Sequence, residues 1–507
     1  MYSKTHGAAT FGVEGMIIEV EVDASNGSPA FEIVGLPTGA VKEAKERVRT
    51  AIKNTGIFLK QQKITVNLAP ADLRKEGAGL DLPIAVGLLA SHGLIPVESL
   101  EKALFAAELS LEGTLKGVPG ILPIAIKARE SGFEKIFVAS ENVNEAVLVD
   151  DLQVLTAKNL TEIISHLQGS KFLKPAGSIE IENESPSIFQ DDFSDVKGQF
   201  FAKRAMEIAA AGGHNVLMVG VPGSGKTMLA RRMPTILPEM SKEEALEVTK
   251  IYSVAGNLNG QGLITRRPFY APHHTSSVAA IIGGGSIPKP GAVTLSHNGV
   301  LFLDELPEFG KLLEALREPL EDKIVTVARV NATMTFPANF TLICAMNPCP
   351  CGWRGDPDHI CTCTPNDLKR YSRRLSGPFL DRIDIHINVP RVKYEELTSE
   401  KQSESSAEIR ERVVKARRIQ FDRLSPYKIF CNSQMNNQLV HKFCRLDETA
   451  RKLLESIYHR EKLSARAHDR ILKVARTIAD LNGSKVINST HVTEAIQLRM
   501  QLYFNAN

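Results

Sequence analysis

Gly220-Val221-Pro222-Gly223-Ser224-Gly225-Lys226-Thr227 is the stretch on which the reading of this chain turns. It has the spacing G-x-x-x-x-G-K-[ST]. The glycines let the backbone curl so that successive N–H groups face phosphate oxygens. The lysine then reaches the outer phosphates, and the last hydroxyl meets a magnesium ion. The motif follows an apolar run, Val216-Leu217-Met218-Val219, and precedes a helix-forming stretch, Met228 to Arg232. A plain glycine-rich turn would require neither flank.

Two more apolar runs follow, Gly299 to Leu303 and Phe340 to Ala345. Both are short and lack polar alternation, which suits buried strands of a parallel sheet. The first continues into Asp304-Glu305. A strand of that kind delivers Asp304 beside the magnesium at its carboxyl end, and Glu305 can polarise an attacking water. The expected fold class is therefore α/β, with a phosphate-loop parallel-sheet core over 195–390, and the expected cofactors are ATP and Mg2+.

A chain of 507 residues is long enough for about three domains. The 43% hydrophobic and 23% charged content fits a soluble globular protein. A net charge of +3 excludes polyanion binding by global excess, so any nucleic-acid surface must be a local patch. The first residues lack the apolar core of a signal peptide. The longest apolar run, Leu82 to Ala90, falls well short of the ~20 residues of a membrane span. The chain reads as cytoplasmic, with reduced or metal-bound cysteines and no membrane partner.

Around the core, residues 1–168 alternate strand and helix patterns. Met16 to Val22 and Ile64 to Leu68 read as strands; Val41, Ala44, Val48 and Ile52 mark one helix face. Residues 169–194 have linker composition, 391–425 read as a charged connector, and 426–507 as a helical lid. Gly256 to Gly291 suits a mobile insert. Arg317 to Phe340 reads as a helix followed by a hairpin that carries Lys323 and Arg329. Lys369-Arg370-Tyr371-Ser372-Arg373-Arg374 is a basic run compatible with a phosphate backbone, or with a solvated helix face or subunit contact.

Within the core, Cys349, Cys351, Cys361 and Cys363 form C-x-C-x9-C-x-C across an insert at 349–363. Four thiolates in two close pairs can close a tetrahedral zinc site; the one-residue spacers equally allow reduced thiols or a redox-labile pair. Cys344, Cys431 and Cys444 read as buried thiols.

The chain resembles the ComM/YifB group of magnesium-chelatase-like AAA+ ATPases. The resemblance lies in Val196-Lys197-Gly198-Gln199, Ala271-Pro272-His273-His274-Thr275, Asn347-Pro348-Cys349-Pro350-Cys351-Gly352, Gly377 to Asp384 and Ser464-Ala465-Arg466-Ala467. It implies that Asn347 is the sensor-1 residue, that Arg382 is an arginine finger reaching a neighbouring subunit's nucleotide, and that Arg466 is the sensor-2 arginine of the lid. It implies a homo-oligomeric ring, a hexamer, with the hairpin facing a pore. Residues 1–168 resemble the Lon protease catalytic domain, but Gly79 and Leu122 stand where its serine and lysine would be, so no proteolysis is expected. The group's known role implies a DNA branch-migration helicase in recombination during natural transformation; the charges of the hairpin and the basic run then suggest Arg329, Arg370, Arg373 and Arg374 as contacts to branched or single-stranded DNA. The alternative is a chelatase-type or protein-remodelling ATPase acting on a protein partner.

Overall fold

The computed structural model describes residues 1–72, 74–75, 77–177, 191–285, 288–329, 332–398 and 403–500. They form two compact units, Met1–Ser185 with Lys242–Ile264, and Pro186–Ser241 with Thr265–Asn507.

In the first unit a four-stranded sheet runs in the order Tyr2–Phe11, Glu14–Ser25, Lys63–Ala69, Ala30–Val34. Alternation along Glu14–Ser25 sends Ile18, Val20 and Val22 inward. Helix Gly39–Asn54 buries Val41, Ala44, Val48 and Ile52, the face its spacing predicts. A parallel three-stranded sheet, Ala103–Ala106, Lys135–Ala139 and Gln153–Ala157, completes the α+β unit. Leu122 is buried near the start of helix Ile121–Glu130, and a Cβ placed on Gly79 would make ordinary contact with the side chain of Val118.

The structure differs from the expected boundaries at three places. Lys242–Ile264, read as part of 195–390, packs with the first unit. Helix Lys242–Ala255 lies on helix Ile121–Glu130. Gly120 N donates to Ser253 O at 3.0 Å, the Ser253 hydroxyl donates to the buried carboxylate of Glu145, and Lys250 pairs with Glu14 at 2.9 Å. The expected linker at 169–194 falls partly, at 178–190, outside the described residues. Its end is no linker, because Phe193 is fully buried and Asp192 caps the turn Phe193–Asp195. The charged connector at 391–425 contains helix Ser406–Leu424. This helix buries Ile409, Val413, Ala416 and Leu424 in the core of the second unit, an apolar stripe that its many charges conceal.

The second unit is built on a five-stranded parallel sheet ordered Phe269–Tyr270, Val300–Leu303, Thr341–Met346, Val216–Val219, Ile385–Asn388. The three apolar runs read from the sequence are its central strands, with every side chain of each buried. Helices Glu448–Glu461, Ala465–Leu481 and Ser489–Met500 close the unit on its C-terminal side. The strand order places the loop after Val219 beside the carboxyl ends of the strands leading to Asn347 and Asp304. That is where an open α/β sheet binds ligands.

Candidate active site

The loop Gly220–Gly225 turns through two left-handed glycines, Gly223 at φ +75 and Gly225 at φ +87. Gly225 then opens helix Lys226–Ile236. A Cβ at Gly220 would press on Val389 O and on Ser224 Oγ, so this position tolerates only glycine. Gln199, itself left-handed, braces the loop from outside by donating to Ser224 O and, at 3.3 Å, to Pro390 O.

Lys226 is buried, and its Nζ donates to Gly220 O at 2.7 Å and Val221 O at 3.0 Å. It also lies 3.4 Å from Asn347 Oδ1. Burial lowers the pKa of this ammonium, and the charge of Asp304 opposes that shift. Thr227 Oγ1 donates to Asp304 Oδ2 at 2.9 Å. Adjacent ligands of an octahedral Mg2+ at 2.0–2.1 Å stand about 3.0 Å apart, so these two oxygens suit one such ion.

Glu305 follows with a left-handed backbone at φ +54, and its Oε2 lies 2.9 Å from His274 Nδ1. The His274 ring rests on His273, with centroids 4.2 Å apart, and His273 Nδ1 lies 2.7 Å from Thr275 Oγ1. His274, Glu305, Asn347, Arg370 and Arg374 line one cavity of about 550 Å3.

Two residues of the basic run thus line this cavity. Helix Pro365–Ser372 is pinned where Tyr371 donates its hydroxyl to Asn347 O at 3.0 Å and Arg374 pairs with Glu308. This puts Arg370 and Arg374 on the wall of the cavity that holds Glu305; Arg370, Arg373 and Arg374 are all exposed. Arg329 is exposed at the turn of the hairpin Ile324–Ala328 with Thr333–Pro337. Lys323 ends the preceding helix at φ +59, and burial lowers its pKa close to Asp384 and Arg470; it is drawn inward and not toward a track.

Arg382 and Arg466 stand apart from the Lys226 set. The Arg382 guanidinium meets Glu321 at 2.7 Å and Pro378 O at 2.6 Å, leaving the side chain 11% exposed. Arg466 is exposed in the first turn of helix Ala465–Leu481. One turn on, Arg470 binds the buried Asp384 and donates to Arg382 O at 3.1 Å. Burial opposes ionisation of Asp384, but Arg470 and His214 outweigh it and hold the carboxyl far below its usual range. Sequence reading missed the roles of His274, Arg470 and Gln199, although all three lie within or beside the quoted strings.

The four insert cysteines converge: Cys349, Cys351, Cys361 and Cys363 have sulfurs within 4.8 Å of one another. Hydrogen bonds from backbone N–H groups, chiefly that of Trp353, draw the Cys351 thiol down to about 5. Burial pushes Cys349 up, and Cys363 up to about 12. Cys344, Cys431 and Cys444 are buried. No helix among the described residues is long and apolar enough to cross a membrane.

Three family models together match most of the chain. They are magnesium chelatase, subunit ChlI, over residues 192–397; subunit ChlI of Mg-chelatase over 20–142; and magnesium chelatase, subunit ChlI C-terminal, over 403–499. The chain is 45% identical to competence protein ComM of Haemophilus influenzae over 97% of its own length and 96% of that protein's. It is 44% identical to YifB of Escherichia coli over 98% of its length and 97% of the relative's.

Proposed function

From the premise that this chain belongs to the ComM/YifB family of magnesium-chelatase-like AAA+ ATPases, we propose that it is an ATP-driven ring motor that migrates branches in DNA. The observation that carries the polymer is the 45% identity, over 97% of the chain, to a protein named for competence.

In this reading the loop N–H groups and Lys226 hold the outer phosphates, and Thr227 and Asp304 hold Mg2+. The ion, when bound, neutralises charge on the transferring phosphoryl group. Glu305 orients and polarises water, and Asn347 holds that water or the terminal phosphate from its place beside Lys226. Arg370 and Arg374 line the cavity that holds Glu305 and Asn347 and add positive charge to it. Arg382 leaves Glu321 to complete a neighbour's site, a role that requires assembly into a homo-oligomer, a hexamer in our reading, and Arg466 closes the lid over the nucleotide. Arg329 meets the DNA backbone.

The test is the ATPase rate of assembled protein with single-stranded, duplex and branched DNA, alongside branch migration of a four-stranded junction. Stimulation by branched DNA with junction processing is expected. ATPase that ignores all three DNAs, with no junction processing, would replace DNA with a protein partner. Lys226→Ala should abolish turnover, and Glu305→Gln should bind ATP and hydrolyse it poorly.

A further inference from the structure

Three sulfurs of the insert are spaced as the edges of one face of a tetrahedron, and the fourth, of Cys363, lies within 4.8 Å of each. Cys349 Sγ lies 3.4 Å from Cys351 Sγ and 3.7 Å from Cys361 Sγ, and Cys351 Sγ lies 3.6 Å from Cys361 Sγ. Four sulfurs bound at the Zn–S length of about 2.3 Å stand about 3.8 Å apart. Cys363 Sγ accepts from Cys351 N at 3.4 Å, and Cys349 Sγ from Arg354 N at 3.3 Å, the second layer of donors that fixes ligating thiolates. The loop between the pairs is locked around Asp356, which accepts from Asp358 N at 2.8 Å and His359 N at 3.0 Å. The His359 ring stacks on Trp353 with centroids 4.2 Å apart.

This knot leans on the phosphate loop. Gly352 takes φ +87, and a Cβ there would stand 2.8 Å from Pro222 Cγ and 3.9 Å from Asn347 Nδ2. Asn347, two residues before Cys349, meets Lys226 through its side chain and Tyr371 through its carbonyl.

We propose that Cys349, Cys351, Cys361 and Cys363 bind one structural Zn2+ whose knot braces Pro222 and Asn347, so that the metal sets the shape of the ATP site. The zinc site stands on the sulfur geometry alone. Its effect on nucleotide rests on the reading of Gly220–Thr227 as the ATP loop.

The experiment uses the intact chain, purified under reducing conditions without chelators. Elemental analysis should find one zinc per chain; no metal, or iron in its place, overturns the site. Zinc is then displaced with a thiol reagent, followed by a chromophoric chelator, while binding of a fluorescent ATP analogue is measured. Affinity should fall on the order of tenfold and return when thiols and zinc are restored, since small misplacements of binding groups are costly. Unchanged affinity in the zinc-free chain overturns the brace. Gly352→Ala should keep zinc yet weaken the same analogue, and wild-type affinity in that variant overturns the brace independently. Failure of the untreated wild type to bind the analogue would instead refute the ATP loop and the brace resting on it, leaving the zinc content to decide the metal site.

Discussion

His274 Nδ1 lies 2.9 Å from Glu305 Oε2, joining the segment after strand Phe269–Tyr270 to the acid that ends the next strand of the sheet. Glu305 is exposed and takes a left-handed backbone, a conformation that costs a non-glycine residue of order 1–3 kcal/mol and gathers at active sites. Its carboxylate thus has little packing to orient it, and His274 supplies a directed contact. His274→Ala is expected to lower kcat roughly tenfold with KM for ATP unchanged, the pattern of an interaction made in the transition state. His274→Asn, which keeps a donor near Nδ1, should recover much of the loss. A wild-type kcat in the alanine variant would remove His274 from the reaction.

Arg382 is committed to Glu321 at 2.7 Å and is largely covered. A finger that serves the neighbouring site makes a specific demand on mixtures. Arg382→Ala and Lys226→Ala chains are each expected to be inactive alone. Mixed, they should recover part of the wild-type ATPase, because some interfaces then pair an intact loop with an intact finger. Absence of recovery at every ratio, with co-assembly demonstrated, would place Arg382 in its own chain's structure instead. A guanidinium is required for the role, so Arg382→Lys should behave nearly as the alanine variant.

Asp384 anchors the helix that carries Arg466 to the sheet, through Arg470 and through Asn215 N at 3.2 Å. Its pKa in the folded chain is depressed, so its stabilisation is fully present above the unfolded value of about 4 and is lost as pH falls below it. Asp384→Asn leaves Arg470 without its charge partner and is expected to cost about 3–5 kcal/mol at pH 7. Denaturant unfolding from pH 7 to pH 3 should show wild type and variant converging toward acid. A constant gap between them would mean that the pair carries no pH-dependent stability.

How much of this was legible in the sequence follows from how local each signal is. The phosphate loop and its strand are set by eight contiguous residues and an apolar run, so Lys226, Thr227 and Asp304 could be placed from spacing. Asp304 meets Thr227 because strands Val216–Val219 and Val300–Leu303 both pair in parallel with Thr341–Met346, a strand order that run lengths alone do not give. The destination of Arg370 and Arg374 was not legible. A basic run does not announce which surface it lines, and the Tyr371–Asn347 and Arg374–Glu308 contacts that bring two of its arginines to the cavity are not local. Helix Ser406–Leu424 was misread because charge count dominated a stripe of four buried apolar residues. Lys242–Ile264 lies between motifs of the second unit yet packs with the first, through contacts such as Ser253 with Glu145 that no local pattern announces.

One candidate for the DNA track is Arg329 at a hairpin turn, with a second, shorter hairpin against it. Strand Gly283–Gly284 pairs with Lys289–Pro290, and a Cβ on Gly284 would come 3.3 Å from Arg329 Nη2. Lys289 and Arg329 are both exposed, so the paired hairpins present two cations together. If these cations neutralise backbone phosphates, each releases condensed counterions and contributes to the salt dependence of binding. Arg329→Ala should therefore weaken DNA of any sequence alike and reduce the slope of log K against log salt by about 1. Lys289→Ala should do the same, and the double variant should lose about twice as much slope. Neither residue touches Lys226, Asp304 or Glu305, so ATPase without DNA should stay near wild type while junction migration falls. An unchanged salt slope in the double variant, with binding intact, would mean that the DNA contacts lie on another surface of the chain.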